Sequence, residues 1–303
     1  MHRNVAKAKA CLFFEKVAIF RQDRIKFKDI NELIRKATGI LESGPERLQF
    51  ITDFDHTITK KHQSNGDKVP TSFGIFNKCK SLPSSYLDNY NELDVKYRKY
   101  EHSPDITLDE KIKLMKEWWQ LSGEIVSGFP LDEKEIDEVA SNYKDCLRDH
   151  SLELFETLNR LNVPVLVFSA GLGNSVVSVL KQANVMFPNM KVVSNFLEYK
   201  DGLLNGLSKP MIHAFNKNET AIEGTEYYDL VHSRDHIIVM GDSLGDAGMA
   251  NGMPSSSIII KIGFLYDHVE ENLERYMEAF DIVLIDDQTM DIPLAILKLM
   301  EDK

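Results

Sequence analysis

Cysteine is scarce in this sequence. Only three cysteines occur in 303 residues, and Cys11, Cys79 and Cys146 lie far apart. A disulfide framework needs cysteines in pairs, and a structural zinc site needs Cys or His ligands at short spacings. The sequence therefore argues against both a disulfide-stabilised fold and a zinc centre.

Long apolar runs and an excess of positive charge are also missing. No stretch approaches the roughly 18 apolar residues that suggest a membrane helix. The apolar segment 10–14 is too short for a signal peptide, since Glu15 and Lys16 interrupt it. The formal net charge of −11 disfavours a broad surface for nucleic acid. We expect a cytoplasmic protein that binds neither membranes nor nucleic acid polymers.

Short apolar runs alternate with amphipathic helical segments in much of the chain. Hydrophobic residues make up 43% of the sequence, which is enough for a large buried core. Strands that alternate with helices predict a parallel sheet covered on both faces. The predicted strands cover 48–52, 163–168, 191–196, 237–240, 258–262 and 282–285. We assign 45–70 and 150–303 to this α/β core.

Two further segments are predicted to be helical. Residues 1–44 form a leader in which Asp29 caps a helix that packs on the core. Residues 71–149 show helical spacing and no strand-like run. Thr107 and Glu110 have the spacing of a capping box, at the start of a helix that carries Trp118 and Trp119. We predict that 71–149 is a helical cap inserted into the core.

Two carboxylates follow the first predicted core strand. Asp53 and Asp55 are one residue apart, and strand alternation would put both side chains on one face. Like charges this close repel, and a hard cation such as Mg²⁺ would relieve that cost. An acidic turn with an Asp cap remains the structural alternative. Thr57, two residues further on, favours a chemical role.

Other polar residues follow predicted strands later in the chain. Ser169 and the pair Asp242 and Asp246 directly follow such strands, whereas Lys217 lies in a loop. Taken alone, Ser169 fits an ordinary strand-to-helix turn and Lys217 fits a solvated loop lysine. Because ligands of parallel sheets bind beyond the carboxyl ends of the strands, we expect the clusters at strand ends to share one pocket.

These clusters resemble the motifs of the haloacid dehalogenase superfamily. Asp53-Phe54-Asp55-His56-Thr57 is similar to its first motif, Asp-x-Asp-x-Thr. Ser169 resembles the second motif, Lys217 the third, and Gly241-Asp242-x-x-x-Asp246 the fourth, in the same order. The resemblance covers roughly 47–300 and implies a Rossmann-like parallel core with an inserted helical cap.

The resemblance also implies a mechanism. Asp53 would be the nucleophile that takes up a phosphoryl group, Asp55 the general acid and then general base, and Thr57 would help to hold the turn. Mg²⁺ would bind the side chains of Asp53 and Asp242 and the main-chain carbonyl of Asp55, with Asp246 supporting that shell. The residues that would bind the phosphate are Ser169, Ala170 and Lys217, and Lys217 would also offset charge on the nucleophile.

A narrower resemblance is to the cytosolic 5′-nucleotidase III family, also called pyrimidine 5′-nucleotidases. It rests on the segments 192–196, 213–217, 261–265 and 276–284. The family includes a form active on 7-methylguanosine monophosphate. By this resemblance Glu101 and Ser122 would bind the base, and Phe73 and Trp119 would flank it. From the residues alone, Glu101 fits a solvated carboxylate, and the two aromatics fit core positions equally well.

The expected function follows from both resemblances. We expect a monomeric, Mg²⁺-dependent enzyme that hydrolyses nucleoside 5′-monophosphates, namely CMP, UMP or 7-methyl-GMP, through an aspartyl-phosphate. A phosphotransferase would use the same intermediate and pass the phosphoryl group to an acceptor nucleoside. A catalytically silent nucleotide-binding protein is a third hypothesis, against which the retained charges of Asp53, Asp55, Lys217 and Asp242 argue.

Overall fold

A seven-stranded sheet organises the molecule. The computed structural model describes residues 2–16, 22–103, 105–218 and 222–301. The strand order is β1-β9-β8-β7-β2-β3-β4, and all neighbours are parallel except β1 and β9. The strands are β1 (Ile25–Phe27), β2 (Leu48–Thr52), β3 (Val165–Leu172), β4 (Met190–Asn195), β5 (Leu197–Lys200), β6 (Leu203–Leu207), β7 (His236–Gly241), β8 (Ile258–Leu265) and β9 (Ile282–Ile285). The predicted α/β class is confirmed.

Helices cover both faces of this sheet. They are α1 (His2–Lys16), α2 (Ile30–Ser43), α3 (Ser72–Phe76), α4 (Ser84–His102), α5 (Leu108–Ile125), α6 (Glu133–Ser141), α7 (Ser151–Arg160), α8 (Gly173–Gln182), α9 (Glu226–Val231), α10 (Val269–Ala279) and α11 (Asp291–Glu301). In the described residues, none of these helices is long and apolar enough to span a membrane.

The central strand β2 shows how the two faces are filled. All five of its residues are buried, as expected for a strand with a neighbour on each side. Phe50 packs with apolar side chains of α2, α7 and α11, whereas Ile51 packs on the opposite face with those of α9. Alternate residues of one strand therefore belong to two cores, which fixes the register of the sheet.

The helices α3 to α6 fall in the segment 71–149, and α7 then leads into β3. The capping box predicted at Thr107 and Glu110 is present at the start of α5. Tyr97, Met115 and Trp118 form a hydrophobic cluster of α4 and α5. The sequence pattern did not predict strands β5 and β6. They form an antiparallel hairpin in which β6 packs against α5.

The leader contributes both helix and strand. Asp29 caps α2 by accepting from two main-chain N–H groups, and Gly44, with a φ of +84°, follows the last helical residue as the C-cap. The sequence suggested only helix here, but β1 pairs with β9 and is itself an edge strand of the sheet. Three residues are too few for a periodicity signal, so β1 could not be predicted from the pattern.

Candidate active site

The predicted first motif, 53–57, begins where β2 ends. The Asp53 N–H donates to the Met240 carbonyl at 3.0 Å, so pairing with β7 continues by one residue. The chain then turns, and the N–H groups of Thr57, Ile58 and Thr59 converge on the Phe54 carbonyl. Asp55 therefore lies in a turn, and strand alternation, which the sequence suggested, does not determine its direction.

A buried ion cluster forms around Lys217. Its Nζ lies 2.7 Å from Asp53 Oδ1 and also contacts Asp246 Oδ1. All three side chains are at most 8% exposed. Ser243 donates through both its N–H and its hydroxyl to the other oxygen of Asp246. The sequence alone suggested a solvated loop lysine, but Lys217 is buried and pairs with two carboxylates.

Burial and mutual charge shift the pKa values of this cluster. Burial raises the pKa of Asp53 to about 7, although the Lys217 ammonium acts in the opposite direction. Burial disfavours the charge on Lys217, but Asp246 and Asp53 outweigh it and raise the lysine pKa. Lys217 therefore stays protonated at neutral pH and can support an ionised Asp53.

Asp242 adds a third carboxylate to the same place. Burial, together with the charge of Asp53, raises the pKa of Asp242 well above its usual range. Oxygens of Asp53, Asp242 and Asp246 lie within 4.8 Å of one another. Lys217 supplies one positive charge against these three groups, so the cluster suits a divalent cation with oxygen ligands.

Gly241 allows this arrangement to form. A Cβ atom at Gly241 would lie 2.1 Å from Asp246 Cβ, so a larger residue would prevent Asp246 from folding back toward the strand end. On the outer side, the Tyr276 hydroxyl donates to the Asp242 carbonyl at 2.5 Å. Thr57 Oγ1 lies 3.5 Å from Asp242 Oδ1, which links the first and fourth motifs.

Asp55 is held by a residue that the sequence did not single out. Asp55 accepts hydrogen bonds at 2.7 Å from both the N–H and the hydroxyl of Ser72, the first residue of α3. The Ser72 hydroxyl in turn accepts from the Leu172 N–H at 3.0 Å. Burial raises the pKa of Asp55 to about 6, against the effect of the two Ser72 bonds. A carboxyl group with this pKa can both donate and accept a proton near neutral pH.

Ser169 and Gly171 bring the second motif close to Asp55. β3 runs on to Leu172 rather than ending at Phe168, with a shift in its register against β4. Ser169 accepts a hydrogen bond from the Gly171 N–H. A Cβ atom on Gly171 would lie 1.9 Å from Ser72 Oγ and 2.7 Å from Asp55 Oδ2. Only glycine leaves room for these groups to meet.

This contact yields a stability prediction. Ser72→Ala should destabilise the protein by about 1–3 kcal/mol, because the buried Leu172 N–H loses its acceptor. Gly171→Ala should cost a similar amount through overpacking. In the double variant the closest clash is gone, so its cost should be less than the sum of the two. Urea unfolding measures the stability of all three variants. If the two single losses added up to that of the double variant, the close contact between residues 72 and 171 would be contradicted.

The residues expected around the base lie on α3, α4 and α5. Trp119 donates from its indole Nε1 to the Ala170 carbonyl at 3.2 Å, and Ser122 follows one turn later on α5. The Phe73 ring on α3 lies 6.3 Å from the Tyr90 ring. Glu101 lies near the end of α4, and its carbonyl accepts from Lys111. Trp119 thus directly contacts the second motif.

Arg148 and Ser72 contact the turn 55–57, and sequence reasoning singled out neither of them. Arg148 is 1% exposed and donates to main-chain carbonyls of the first motif. Ser72 follows Thr71, whose hydroxyl caps α3, and this N-cap was the only available signal. Their partners are 17 and 91 residues away in the sequence, beyond any local pattern.

Known proteins resemble the chain in sequence. The family model for pyrimidine 5′-nucleotidase (UMPH-1) matches residues 56–301. The 7-methylguanosine phosphate-specific 5′-nucleotidase of Drosophila melanogaster is 56% identical over 291 residues, which is 96% of this chain and 91% of that protein. Both similarities extend over the core and the inserted helices.

Solved structures resemble the chain as well. A structure of cytosolic 5′-nucleotidase IIIB bound to cytidine matches with a TM-score of 0.92 and 56% identity, covering 95% of this chain and 97% of that one. A haloacid dehalogenase-family hydrolase from Salmonella enterica, at 14% identity and a TM-score of 0.51, covers 86% of this chain and 74% of its own and shares the fold alone. The chain therefore belongs to the pyrimidine 5′-nucleotidase family, as a 5′-nucleotidase with the fold of the haloacid dehalogenase superfamily.

Proposed function

We propose that this 5′-nucleotidase hydrolyses nucleoside 5′-monophosphates through a phosphoryl group carried by Asp53. The observation that carries the proposal is the buried contact between Asp53 and Lys217, beside Asp242 and Asp246. A structural salt bridge needs no third and fourth charge at the same place. A phosphoryl-transfer site does, because charge moves between nucleophile, phosphate and leaving group.

Each side chain has a distinct task in this proposal. Asp53 attacks phosphorus in its ionised form, which Lys217 favours at a distance of 2.7 Å. Asp55, protonated in part because its pKa is about 6, gives its proton to the departing ribose oxygen. The resulting carboxylate then removes a proton from the water that hydrolyses the aspartyl-phosphate. Ser169, Ala170 and Lys217 hold the phosphate oxygens.

The acidic cluster fits Mg²⁺. Asp53 and Asp242 would hold the ion through carboxylate oxygens, and Asp55 through its main-chain carbonyl. Asp246 would support them, since its oxygens already contact Lys217 and Ser243. When bound, the ion would neutralise charge on the phosphate and the nucleophile. Without a cation, three carboxylates within 4.8 Å would repel each other strongly.

The helices α3 to α6 of segment 71–149 would form the cap and bind the base. Phe73 and Trp119 would flank the base, and Glu101 and Ser122 would bond its edge. The contact of Trp119 with the Ala170 carbonyl supports this, because it places the indole beside the proposed phosphate site. A solved relative is named as bound to cytidine, and curated relatives are named for 7-methylguanosine phosphate.

The cation on 7-methylguanine gives a prediction for Trp119. Trp119→Ala should raise KM for 7-methyl-GMP by more than about tenfold and raise KM for CMP less, because a desolvated cation–π contact reaches about 2 kcal/mol. Trp119→Phe is the matched control, since it keeps an aromatic face but cannot donate to Ala170. Steady-state kinetics on both nucleotides measure the effect. Equal losses for the two substrates in Trp119→Ala would rule out a cation–π contact with the methylated base.

A phosphate-release screen tests the function as a whole. We expect Mg²⁺-dependent release from CMP, UMP or 7-methyl-GMP, and little from AMP or GMP. Adding a nucleoside acceptor would reveal phosphotransfer as a new monophosphate. Strong activity on AMP would contradict the base site. We further propose that the enzyme acts as a monomer in the cytoplasm, in keeping with the name of the solved cytosolic relative.

A further inference from the structure

Arg148 is a buried cation that binds main-chain oxygen atoms. Its Nε donates to the Thr57 carbonyl at 2.5 Å, and its Nη atoms donate to the carbonyls of His56 and Asp287. Its guanidinium carbon lies 3.9 Å from the centre of the Phe264 ring. The planar fork of arginine suits this task, because its N–H groups point in several fixed directions at once.

Two of these acceptors belong to the turn that carries Asp55. His56, the next residue, has a φ of +60°, a conformation that non-glycine residues rarely adopt. Arg148 binds the carbonyls of two consecutive residues, His56 and Thr57. Arg148 therefore stabilises the part of the turn whose main-chain conformation is least favourable.

Arg148 also lies where the chain returns from the inserted helices. Its own N–H donates to the Ile58 carbonyl at 3.0 Å, and the Lys60 N–H donates to the Cys146 carbonyl at 2.8 Å. Thr59 and Leu147 form an antiparallel bridge between the same two segments. The returning segment is thus bonded along its length to the catalytic turn.

We propose that Arg148 is a positioning residue for catalysis, which sets the main-chain geometry of the turn 54–57 and thereby the position of Asp55. The inference rests on the proposed function, in which Asp55 handles the proton of the leaving group. Arg148 itself touches neither substrate nor the reacting atoms. Its loss should therefore slow the chemical step more than it weakens substrate binding.

Arg234 provides a matched control. It too donates to three main-chain carbonyls, those of Pro45, Leu48 and Asn162. These lie around the start of β2, at the opposite end of the strand from Asp53. Arg148 and Arg234 thus anchor the two ends of one strand by similar bonds, and only one end carries the catalytic turn.

The experiment compares Arg148→Lys with Arg234→Lys in the full chain. Lysine keeps the charge but cannot supply the planar fork, so both variants should lose stability in urea unfolding. Arg148→Lys should also lower kcat by about 10–100-fold, with KM for the substrate changed less than about threefold, since misplacement by about 1 Å can cost 10²-fold. Arg234→Lys should keep the parent kcat per folded molecule.

The result that overturns the proposal is an equal effect of both variants on kcat, or a parent-like kcat in Arg148→Lys. If Arg148→Lys does not fold, Phe264→Leu tests the same point by removing the ring beneath the guanidinium. It should lower kcat at unchanged KM, whereas the control Phe155→Leu, at another buried ring, should not. Failure of the proposed function would appear separately, as a parent protein without nucleotidase turnover.

Discussion

Asp53→Asn should abolish nucleotide hydrolysis while leaving the protein folded. An amide oxygen cannot act as the carboxylate nucleophile, so no aspartyl-phosphate forms and the loss should exceed about 10⁴-fold. Folding should survive, because Lys217 keeps its contact with Asp246 and one of the crowded carboxylates becomes neutral. Phosphate release from the purified variant, with thermal unfolding in parallel, measures both outcomes.

Asp235 offers the matched control for this substitution. It precedes the first residue of β7, at the opposite end of that strand from Asp242, and pairs with Arg47. Asp235→Asn removes a carboxylate of the same size, and we expect its turnover to remain close to that of the parent. Appreciable turnover in Asp53→Asn, in a preparation shown to be free of other phosphatases, would refute the covalent mechanism.

Asp55→Asn should slow nucleotide hydrolysis by about 10²–10⁴-fold, the usual contribution of a general acid or base. The side-chain amide introduced at this position could not protonate the ribose oxygen or activate the water. An aryl phosphate such as p-nitrophenyl phosphate has a leaving group that needs no proton. With that substrate, the variant should still give a burst of one nitrophenol per site, followed by slow turnover as the aspartyl-phosphate persists.

Rapid-mixing absorbance measurements separate these phases. The parent protein is the control, and with p-nitrophenyl phosphate it should turn over steadily after any burst. If Asp55→Asn lost the aryl burst to the same extent as nucleotide hydrolysis, Asp55 would have to act before the phosphoryl transfer, for instance by holding the loop. The pKa of about 6 that burial gives Asp55 would then have no catalytic meaning.

The sequence predicted the α/β fold class and the clustering of polar residues at the strand ends. Both predictions rest on short, local sequence patterns. Runs such as 237–240 are apolar throughout, as buried parallel strands must be, and they end in Gly241 and Asp242. Because the carboxyl ends of parallel strands lie side by side, oxygens of Asp53 and Asp242 come within 4.8 Å of each other. The geometry of parallel sheets is sufficient to explain why these two carboxylates were expected to lie together.

The missing parts depend on contacts between distant segments. Ser72 lies 17 residues from Asp55, and Arg148 lies 91 residues from Thr57, with no periodicity that connects them. The sequence suggested a solvated Lys217, because most lysines are exposed to solvent. The burial of Lys217 depends on its two partners, Asp53 and Asp246. Such residues acquire their roles only when the sheet has brought their partners together.

The short strand β1 covers one side of the sheet, next to β9. β9, with the sequence Ile-Val-Leu-Ile, would be the outermost strand if β1 did not pair with it. An open, apolar edge of this kind offers its unpaired N–H and C=O groups to any other chain. The pairing of Ile25 with Leu284 and of Phe27 with Ile282 closes that edge. A shortened chain that begins after Phe27 should therefore leave β9 open to pairing with another chain, while it keeps Asp53, Asp55 and Asp242.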